Sequence, residues 1–216
     1  MLDFFRNFIY NKYIKKSAAG VASEKETFKE KPIMGTPADS LVTQFPDRVS
    51  QLQGPVYNYL KKMSAKIPFN RTEQDLYMTV FYPAARRVDP STPFSQIVPP
   101  KYFSDFAKQN PNIRTPQDYM NFVNNRKRIT LSPDETAALN DTAGKLNVPA
   151  DSLYKLINFE SGWDPKATNP YSGARGLIQF MPSTASWMGF AATVAVIPLL
   201  ILGGIVYFIL KRQGYL

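Results

Sequence analysis

The chain of 216 residues contains neither cysteine nor histidine. Disulfide bonds, thiol nucleophiles, histidine-based catalytic triads and typical zinc sites are therefore excluded. Acidic residues are also few, because 17 Asp and Glu stand against 26 Lys and Arg and give a formal net charge of +9. This charge favours an anionic partner. No nucleic-acid-binding motif is present, so nucleic acid is not predicted as that partner. The sequence also predicts no metal and no cofactor.

One carboxylic acid stands out in the stretch LYKLINFES at residues 153–161. If this stretch is helical, positions i, i+3, i+4 and i+7 form one apolar stripe, and they hold Leu153, Leu156, Ile157 and Glu160. Burial raises the pKa of a carboxyl group, so Glu160 is a candidate general acid and base. The alternative is a partly exposed Glu near a helix end that Ser161 and Gly162 terminate.

The longer segment 159–185, FESGWDPKATNPYSGARGLIQFMPSTA, resembles the lytic transglycosylase family and its goose-type lysozyme relatives. That family pairs a Glu-Ser at a helix end with a downstream Gly-Leu-Met-Gln, and here Glu160-Ser161 precedes Gly176-Leu177-Ile178-Gln179. The resemblance implies that Glu160 is the catalytic acid and base. It further implies that Ser161 positions the acid or the sugar, and that Gln179 lines a saccharide groove.

Three nearby residues extend this candidate site. Tyr171 offers a ring on which a saccharide could stack, with an exposed loop aromatic as the alternative. Gly176 would let the backbone approach a sugar closely. Asp164 is the nearest second carboxylate, but we interpret it as the first residue of an Asp-Pro turn.

The resemblance also implies a mechanism that needs one carboxylate. Glu160 would protonate the bridging oxygen between N-acetylmuramic acid and N-acetylglucosamine in peptidoglycan. It would then deprotonate the muramyl 6-hydroxyl, which closes a 1,6-anhydro ring. Two alternatives stay open: a hydrolytic muramidase that uses water, and a structural protein that keeps a degenerate lysozyme-like fold as a wall-binding or assembly module.

The preceding half of the chain predicts short helices, so the fold class is mainly α. Start signals occur at Thr72 with Asp75, at Thr115 with Asp118, and at Ser132 with Glu135. The predicted helices cover residues 46–53, 55–65, 72–82, 100–109, 115–126, 132–146, 149–160 and a short one from 182 to 187. Residues 87–98 are predicted to form a loop or flap.

Segments of this half resemble segments of the same family, but their order along the chain is different. In unpermuted phage-associated members, counterparts of Gln51-Leu52, of 53–63 and of 75–85 (DLYMTVFYPAA) follow the catalytic segment, whereas here they precede it. We infer a circularly permuted lysozyme-like domain at 38–188, with the second half of the fold at 38–130 and the catalytic half at 131–188. The alternative is an unrelated helical domain.

Under the permuted order, Tyr82 takes the place of the Tyr in the family's Ala-Tyr-Asn motif, with Pro83 in place of the Asn. We therefore predict that Tyr82 faces the groove. For Tyr77 and Phe81, which lie at helical spacing on the same predicted helix, we predict core packing.

Both ends of the sequence suggest a membrane. Residues 1–16 predict a basic amphipathic helix that lies on a membrane or packs on the protein, and 17–37 predict a polar linker. Residues 190–210 carry no charge and are long enough to cross a hydrocarbon layer of about 30 Å. A basic tail, 211–216, follows. The expected protein is single-pass, in the internal membrane of a phage virion with other virion proteins as partners, or alternatively in the bacterial inner membrane.

Overall fold

The computed structural model describes residues 35–170 and 172–192, and the regular structure in these residues is helical. The α-helices are α1 (Pro37–Gln44), α2 (Arg48–Gln51), α3 (Tyr57–Ser64), α4 (Glu73–Phe81), α5 (Phe94–Ile97), α6 (Pro100–Gln109), α7 (Pro116–Asn124), α8 (Pro133–Leu146), α9 (Ala150–Ser161) and α10 (Pro182–Trp187). No strand occurs in these residues, although isolated antiparallel bridges join Arg175 to Thr168 and to Phe180. The predicted mainly α class is confirmed, and it fits a lysozyme-like helical domain.

Several sequence predictions concern residues outside the described part. The amphipathic segment 1–16, most of the linker 17–37, most of the apolar segment 190–210 and the tail 211–216 are among them. Within residues 35–170 and 172–192, no helix combines the length and the apolar character needed to cross a membrane. Phe190 is described, and its ring packs edge-on against Phe45 with 6.1 Å between centroids. The first position of the apolar segment therefore packs against the helical domain.

The predicted helix starts are confirmed by side-chain caps. The Thr72 hydroxyl accepts a hydrogen bond from the Asp75 amide, and Thr115 and Ser132 each form a reciprocal capping box. The helix α1 was not predicted, although Thr36, Pro37 and Asp39 repeat the same signal and form another capping box. The polar linker prediction was therefore wrong at its last residues, because the chain is already capped at Thr36.

The helices predicted at 46–53 and 55–65 form one continuous helical stretch. A π-helical turn, Leu52–Val56, joins α2 to α3 and contains Pro55. Proline has no N–H for the ordinary helical bond, and its ring crowds the preceding turn, so the backbone widens locally. The Tyr57 amide accordingly donates to the Leu52 carbonyl, five residues back. The predicted break is thus a bulge within a helix.

Side chains of α2 connect the earlier part of the chain to the later part. The Arg48 Nε donates to the Trp163 carbonyl at 2.6 Å, and Nη1 pairs with Glu135 at 3.0 Å. The backbone hydrogen bond from Ser132, aided by Arg48, holds the pKa of Glu135 below its ordinary value. The first described helix, α1, also packs against the last, α10. The two parts therefore share one core.

An aromatic cluster surrounds the end of α4. Tyr77 and Phe81 are buried, which confirms their predicted core packing. Phe94 is also fully buried, and its amide donates to the Arg114 carbonyl at 2.7 Å. The prediction of a loop or flap at residues 87–98 holds up to Pro93 and was wrong beyond it, because Phe94–Ile97 form α5 and Phe94 anchors this helix in the core.

Candidate active site

A cleft opens at the C-terminal end of α9. Its volume is about 570 Å³, within the range of small-molecule sites. The residues that line it are Arg126, Asn158, Phe159, Glu160, Ser161, Gly162, Ala167, Thr168, Asn169, Pro170 and Gln179. The helix ends here because Gly162 adopts the left-handed conformation, with φ of 62°, and turns the chain away. The last turn of α9 thus presents its side chains to the cleft.

Glu160 lies in that last turn and is partly buried. The residues that precede it on the stripe, Leu153, Leu156 and Ile157, are fully buried, so the predicted placement of the acid on an apolar face is confirmed. Its Oε1 accepts a hydrogen bond of 3.1 Å from the Tyr119 hydroxyl. The carboxyl group is thus partly shielded from water and oriented by a neutral donor.

Tyr119 comes from α7 and is itself fixed by packing. Its ring is fully buried, stacks on Phe81 at 4.1 Å between centroids, and meets Phe159 edge-on at 5.3 Å. These two contacts restrict the ring from both sides, so the hydroxyl has little freedom to leave the carboxylate. The orientation of Glu160 therefore depends on a residue from the earlier part of the chain.

Ser161 and Gln179 line the cleft together with Glu160, which is the placement predicted for Gln179. The predicted role of Ser161, to position the acid or the sugar, stays a prediction. The Ser161 hydroxyl donates to the Ile157 carbonyl at 3.1 Å, one turn back in α9. The Gln179 amide nitrogen donates to the Gly176 carbonyl at 3.0 Å and to the Ala167 carbonyl at 3.3 Å. Gln179 thus holds the loop that forms one wall of the cleft, and its contact with a saccharide stays a prediction.

Gly176 is placed differently from the sequence prediction. It is buried, does not line the cleft, and has φ of +76°. A Cβ at this position would lie 2.6 Å from the Gln51 Oε1, which accepts a hydrogen bond of 2.9 Å from the Leu177 amide. The same Gln51 donates through Nε2 to the Pro165 carbonyl at 2.7 Å. The glycine is therefore needed for the close approach of Gln51, rather than of a sugar.

Tyr82 also lies away from the cleft. Its side chain is 2% exposed and packs edge-on against Phe94, at 5.8 Å between centroids, and tilted against Phe106. This burial corrects the prediction that Tyr82 faces the groove, because a side chain enclosed by aromatic rings has no surface for a saccharide. Tyr119 is the tyrosine that reaches Glu160. Tyr171, the predicted stacking residue, lies outside the described residues.

The interpretation of Asp164 as a turn residue is confirmed. Its side chain is exposed and accepts a hydrogen bond of 2.8 Å from the Lys166 amide, which closes the Asp-Pro turn. It does not line the cleft. Among the described residues that line the cleft, Glu160 is therefore the sole acidic side chain.

Two residues at or near the cleft, Tyr119 and Arg126, were not predicted from the sequence as site residues. Tyr119 and Val123 lie four apart on α7 and indicate only a buried stripe, so nothing marks the hydroxyl that reaches Glu160. Arg126 belongs to the basic run Arg126-Lys127-Arg128, whose pattern alone does not distinguish a site residue from solvated surface. In the structure, Arg126 lines the cleft, and the Asn158 amide nitrogen donates to the Lys127 carbonyl at 2.9 Å.

Comparisons with known proteins found two similarities, and the family match lies in the later part of the chain. Residues 138–196 match the family model described as Transglycosylase SLT domain. The chain is 33% identical over 107 residues to the "Probable transglycosylase SceD" of Staphylococcus aureus (strain MRSA252), an alignment covering 50% of this chain and 43% of that protein. The chain thus spans less than half the length of this relative. No solved structure matches it at a significant level.

Both similarities are to transglycosylases, the family model by its description and the staphylococcal protein by its name. The matched segment contains Glu160, Ser161 and Gln179, and it covers most of α8 together with α9 and α10. Two residues precede the match: Tyr119, whose hydroxyl donates to Glu160, and Arg126, which lines the cleft. The match ends inside the apolar segment 190–210.

Proposed function

We propose that the protein is a peptidoglycan lytic transglycosylase in which Glu160 serves as both acid and base. The observation that carries the proposal is the single carboxylate among the described residues that line the cleft. Ordinary glycoside hydrolysis uses two carboxylates, one as the acid and one as the base or nucleophile. A reaction whose nucleophile is a hydroxyl of the substrate itself needs only one. The family match over residues 138–196 supports the same assignment.

The reaction would proceed in two proton transfers. Glu160 first donates its proton to the oxygen between N-acetylmuramic acid and N-acetylglucosamine, and the bond from this oxygen to the muramyl anomeric carbon breaks. The resulting carboxylate then takes the proton of the muramyl 6-hydroxyl, whose oxygen bonds to the anomeric carbon and closes the 1,6-anhydro ring. Glu160 ends protonated and ready for the next cycle, and no water is consumed.

The products test this proposal. Purified peptidoglycan is incubated with the protein, and the released fragments are analysed by mass spectrometry beside a digest made by a known muramidase. We expect muropeptides that are lighter by one water than the muramidase products, because the anhydro ring forms without hydrolysis. Reducing ends would instead assign the hydrolytic muramidase. The absence of any released fragment would favour the structural wall-binding module.

Replacement of Tyr119 with Phe should lower kcat while leaving KM unchanged. The ring and its stack on Phe81 remain, but the hydrogen bond to Glu160 is lost. Since a hydrogen bond to a charged group contributes about 1.5–3 kcal/mol, we expect a decrease of about 10–100-fold. Tyr119 is fully buried and acts through Glu160, so it is a positioning residue.

The matched control for this change is Tyr77→Phe. Tyr77 is equally buried, and its hydroxyl donates to the Asn124 Oδ1 at 3.3 Å, away from the cleft. Tyr77→Phe should therefore keep the wild-type kcat even if stability falls slightly. A wild-type kcat for Tyr119→Phe, or equal losses in both variants, would contradict the positioning role.

We further propose that the domain is circularly permuted, with the second half of the fold at 38–130. The contacts that support this order join residues before the family match to residues within it, namely Tyr119 to Glu160 and Gln51 to Leu177. The check is a superposition of an experimental structure on an unpermuted SLT-type domain. Failure of residues 38–130 to overlay on the second half of that domain would contradict the proposal.

The membrane and virion assignments stay proposals that rest on the sequence. We propose that residues 190–210 anchor the enzyme in the internal membrane of a phage virion, or alternatively in the bacterial inner membrane. The uncharged composition of this segment is the support. The full chain should therefore remain with membranes after an alkaline carbonate wash, and complete extraction by carbonate would contradict the anchor.

A further inference from the structure

Arg126 is the positively charged residue among the described residues that line the cleft of Glu160. Its side chain is exposed, and its guanidinium lies 5.4 Å from the centroid of the Phe159 ring. In the described part of the chain, Arg126 makes no salt bridge. The charge of this guanidinium is thus available to a bound molecule.

The segment that carries Arg126 is fastened to α9 on its C-terminal side. The Asn158 amide nitrogen donates to the Lys127 carbonyl at 2.9 Å. The Ile129 amide donates to the Tyr154 hydroxyl at 2.8 Å, and that hydroxyl donates back to the Ile129 carbonyl. Because Glu160 lies on the same helix, the backbone near Arg126 is held at a fixed place relative to the acid.

The Phe159 ring holds the Arg126 guanidinium by a cation–π contact, with 5.4 Å between the guanidinium carbon and the ring centroid. The N–H groups of a guanidinium match the two oxygens of a carboxylate. Two other arginines are engaged in salt bridges, since Arg128 pairs with Asp151 at 2.8 Å and Arg175 pairs with Asp39 at 2.6 Å. Arg126 is therefore the cation that the lining of the cleft itself offers to an anion.

The remaining polar residues of the cleft are neutral apart from Glu160, and they suit sugar hydroxyl and acetamido groups. A polymer of N-acetylglucosamine alone would leave the Arg126 charge unused. The muramyl residue differs from it by a lactyl arm, which carries either a free carboxylate or a peptide with its own carboxylates. A cation beside the catalytic acid thus has a matching group in peptidoglycan.

We propose that Arg126 binds a carboxylate on the lactyl arm of the muramyl residue next to the scissile bond, and that it selects charged glycan strands over neutral ones. This inference rests on the proposed transglycosylase function, since it assumes that a glycan strand occupies the cleft. The carboxylate has two sources, the lactyl group itself on a strand without peptide and the attached peptide.

The test compares three substrates made from one peptidoglycan preparation. The first substrate is intact. The second has been freed of its peptides by an amidase and bears free lactyl carboxylates. In the third, called the neutral substrate, the carboxylates have been converted to neutral amides with carbodiimide and methylamine. The variants are Arg126→Gln, Arg126→Lys and Lys127→Gln. Lys127→Gln is the matched control, because it removes one positive charge from the adjacent exposed position, which does not line the cleft.

The wild type should cleave the neutral substrate about 10-fold more slowly than the intact one, as expected for one lost charge-assisted hydrogen bond. Arg126→Gln should be slower than wild type on the intact substrate by a similar factor, and it should not distinguish intact from neutral. Lys127→Gln should behave as wild type, and Arg126→Lys should recover part of the preference. The peptide-free strands separate the two sources of the carboxylate. If the wild type cleaves them faster than the neutral substrate, Arg126 binds the lactyl carboxylate. If it cleaves them as slowly as the neutral substrate, Arg126 binds a carboxylate of the peptide.

The inference would be overturned if Arg126→Gln lowered the cleavage rate equally on charged and neutral substrates. It would also be overturned if Lys127→Gln lowered the rate as much as Arg126→Gln does. Sedimentation with insoluble peptidoglycan separates this failure from failure of the proposed function, because it needs no catalysis. In a Glu160→Gln background, Arg126→Gln should weaken binding to the intact but not to the neutral material. Unchanged binding would overturn the inference whether or not the protein cleaves glycan.

Discussion

Replacement of Glu160 with Gln should reduce the release of anhydro-muropeptides from purified peptidoglycan by about 10²–10⁴-fold, the range for loss of a general acid or base. We expect the upper part of this range, because one group would perform both proton transfers. Gln has nearly the same shape and keeps an oxygen that can accept the Tyr119 hydrogen bond. The variant should therefore fold as the wild type does, and its melting temperature should change little.

The matched control for this substitution is Asp164→Asn. Asp164 is exposed, lies four residues from Glu160, and serves the turn before Lys166. Asn can form the same turn, so this variant should release products at close to the wild-type rate. Product release is measured by chromatography over time, with zymography as an independent readout. Equal clearing by wild type and Glu160→Gln would exclude Glu160 as the acid.

Replacement of Asp75 with Asn should lower the free energy of unfolding by about 3–5 kcal/mol, the cost of breaking a buried ion pair from one side. Asp75 is fully buried on α4 and forms two hydrogen bonds with Arg86, at 2.7 and 3.0 Å. The Asn70 amide donates to the same carboxylate at 2.8 Å. The substitution leaves the Arg86 charge buried without its counter-ion, and an amide cannot replace that charge.

The control is Asp151→Asn, which removes an acid from two surface salt bridges, with Arg128 and with Lys155. The Asp151 side chain is 52% exposed, so water already screens both pairs, and we expect a loss of about 1 kcal/mol. Urea unfolding of both variants gives the comparison. Equal losses would show that the Asp75–Arg86 pair adds no stability beyond that of a surface pair.

The parts of the fold that local chemistry determines were predictable from the sequence. Thr115 followed by Pro116 and Asp118 is a local start signal for a helix, because the Thr115 hydroxyl satisfies an amide that the helix leaves unpaired. The placement of Glu160 followed from helical spacing within one short segment. Ser161 and Gln179 came from a motif whose residues are near one another in the chain.

The parts that depend on distant contacts were not predictable. Tyr119 lies in a helix that was predicted, but a helical pattern carries no information on the carboxylate that its hydroxyl meets 41 positions later. Gly176 was predicted to let the backbone approach a sugar, yet its close neighbour is Gln51, from a helix far earlier in the chain. Tyr82 was assigned by analogy with a motif, and the aromatic rings around it outweigh that analogy.

The contact between the first and last described helices affects how this fold tolerates rearrangement. Since α1 packs on α10 and Phe45 meets Phe190, the domain begins and finishes at one end of the molecule. Splicing these neighbouring points together would need only a short connector, and no backbone would have to traverse the interior. A circularly permuted chain could thus keep the same helices in the same places and lose little stability through the change of order.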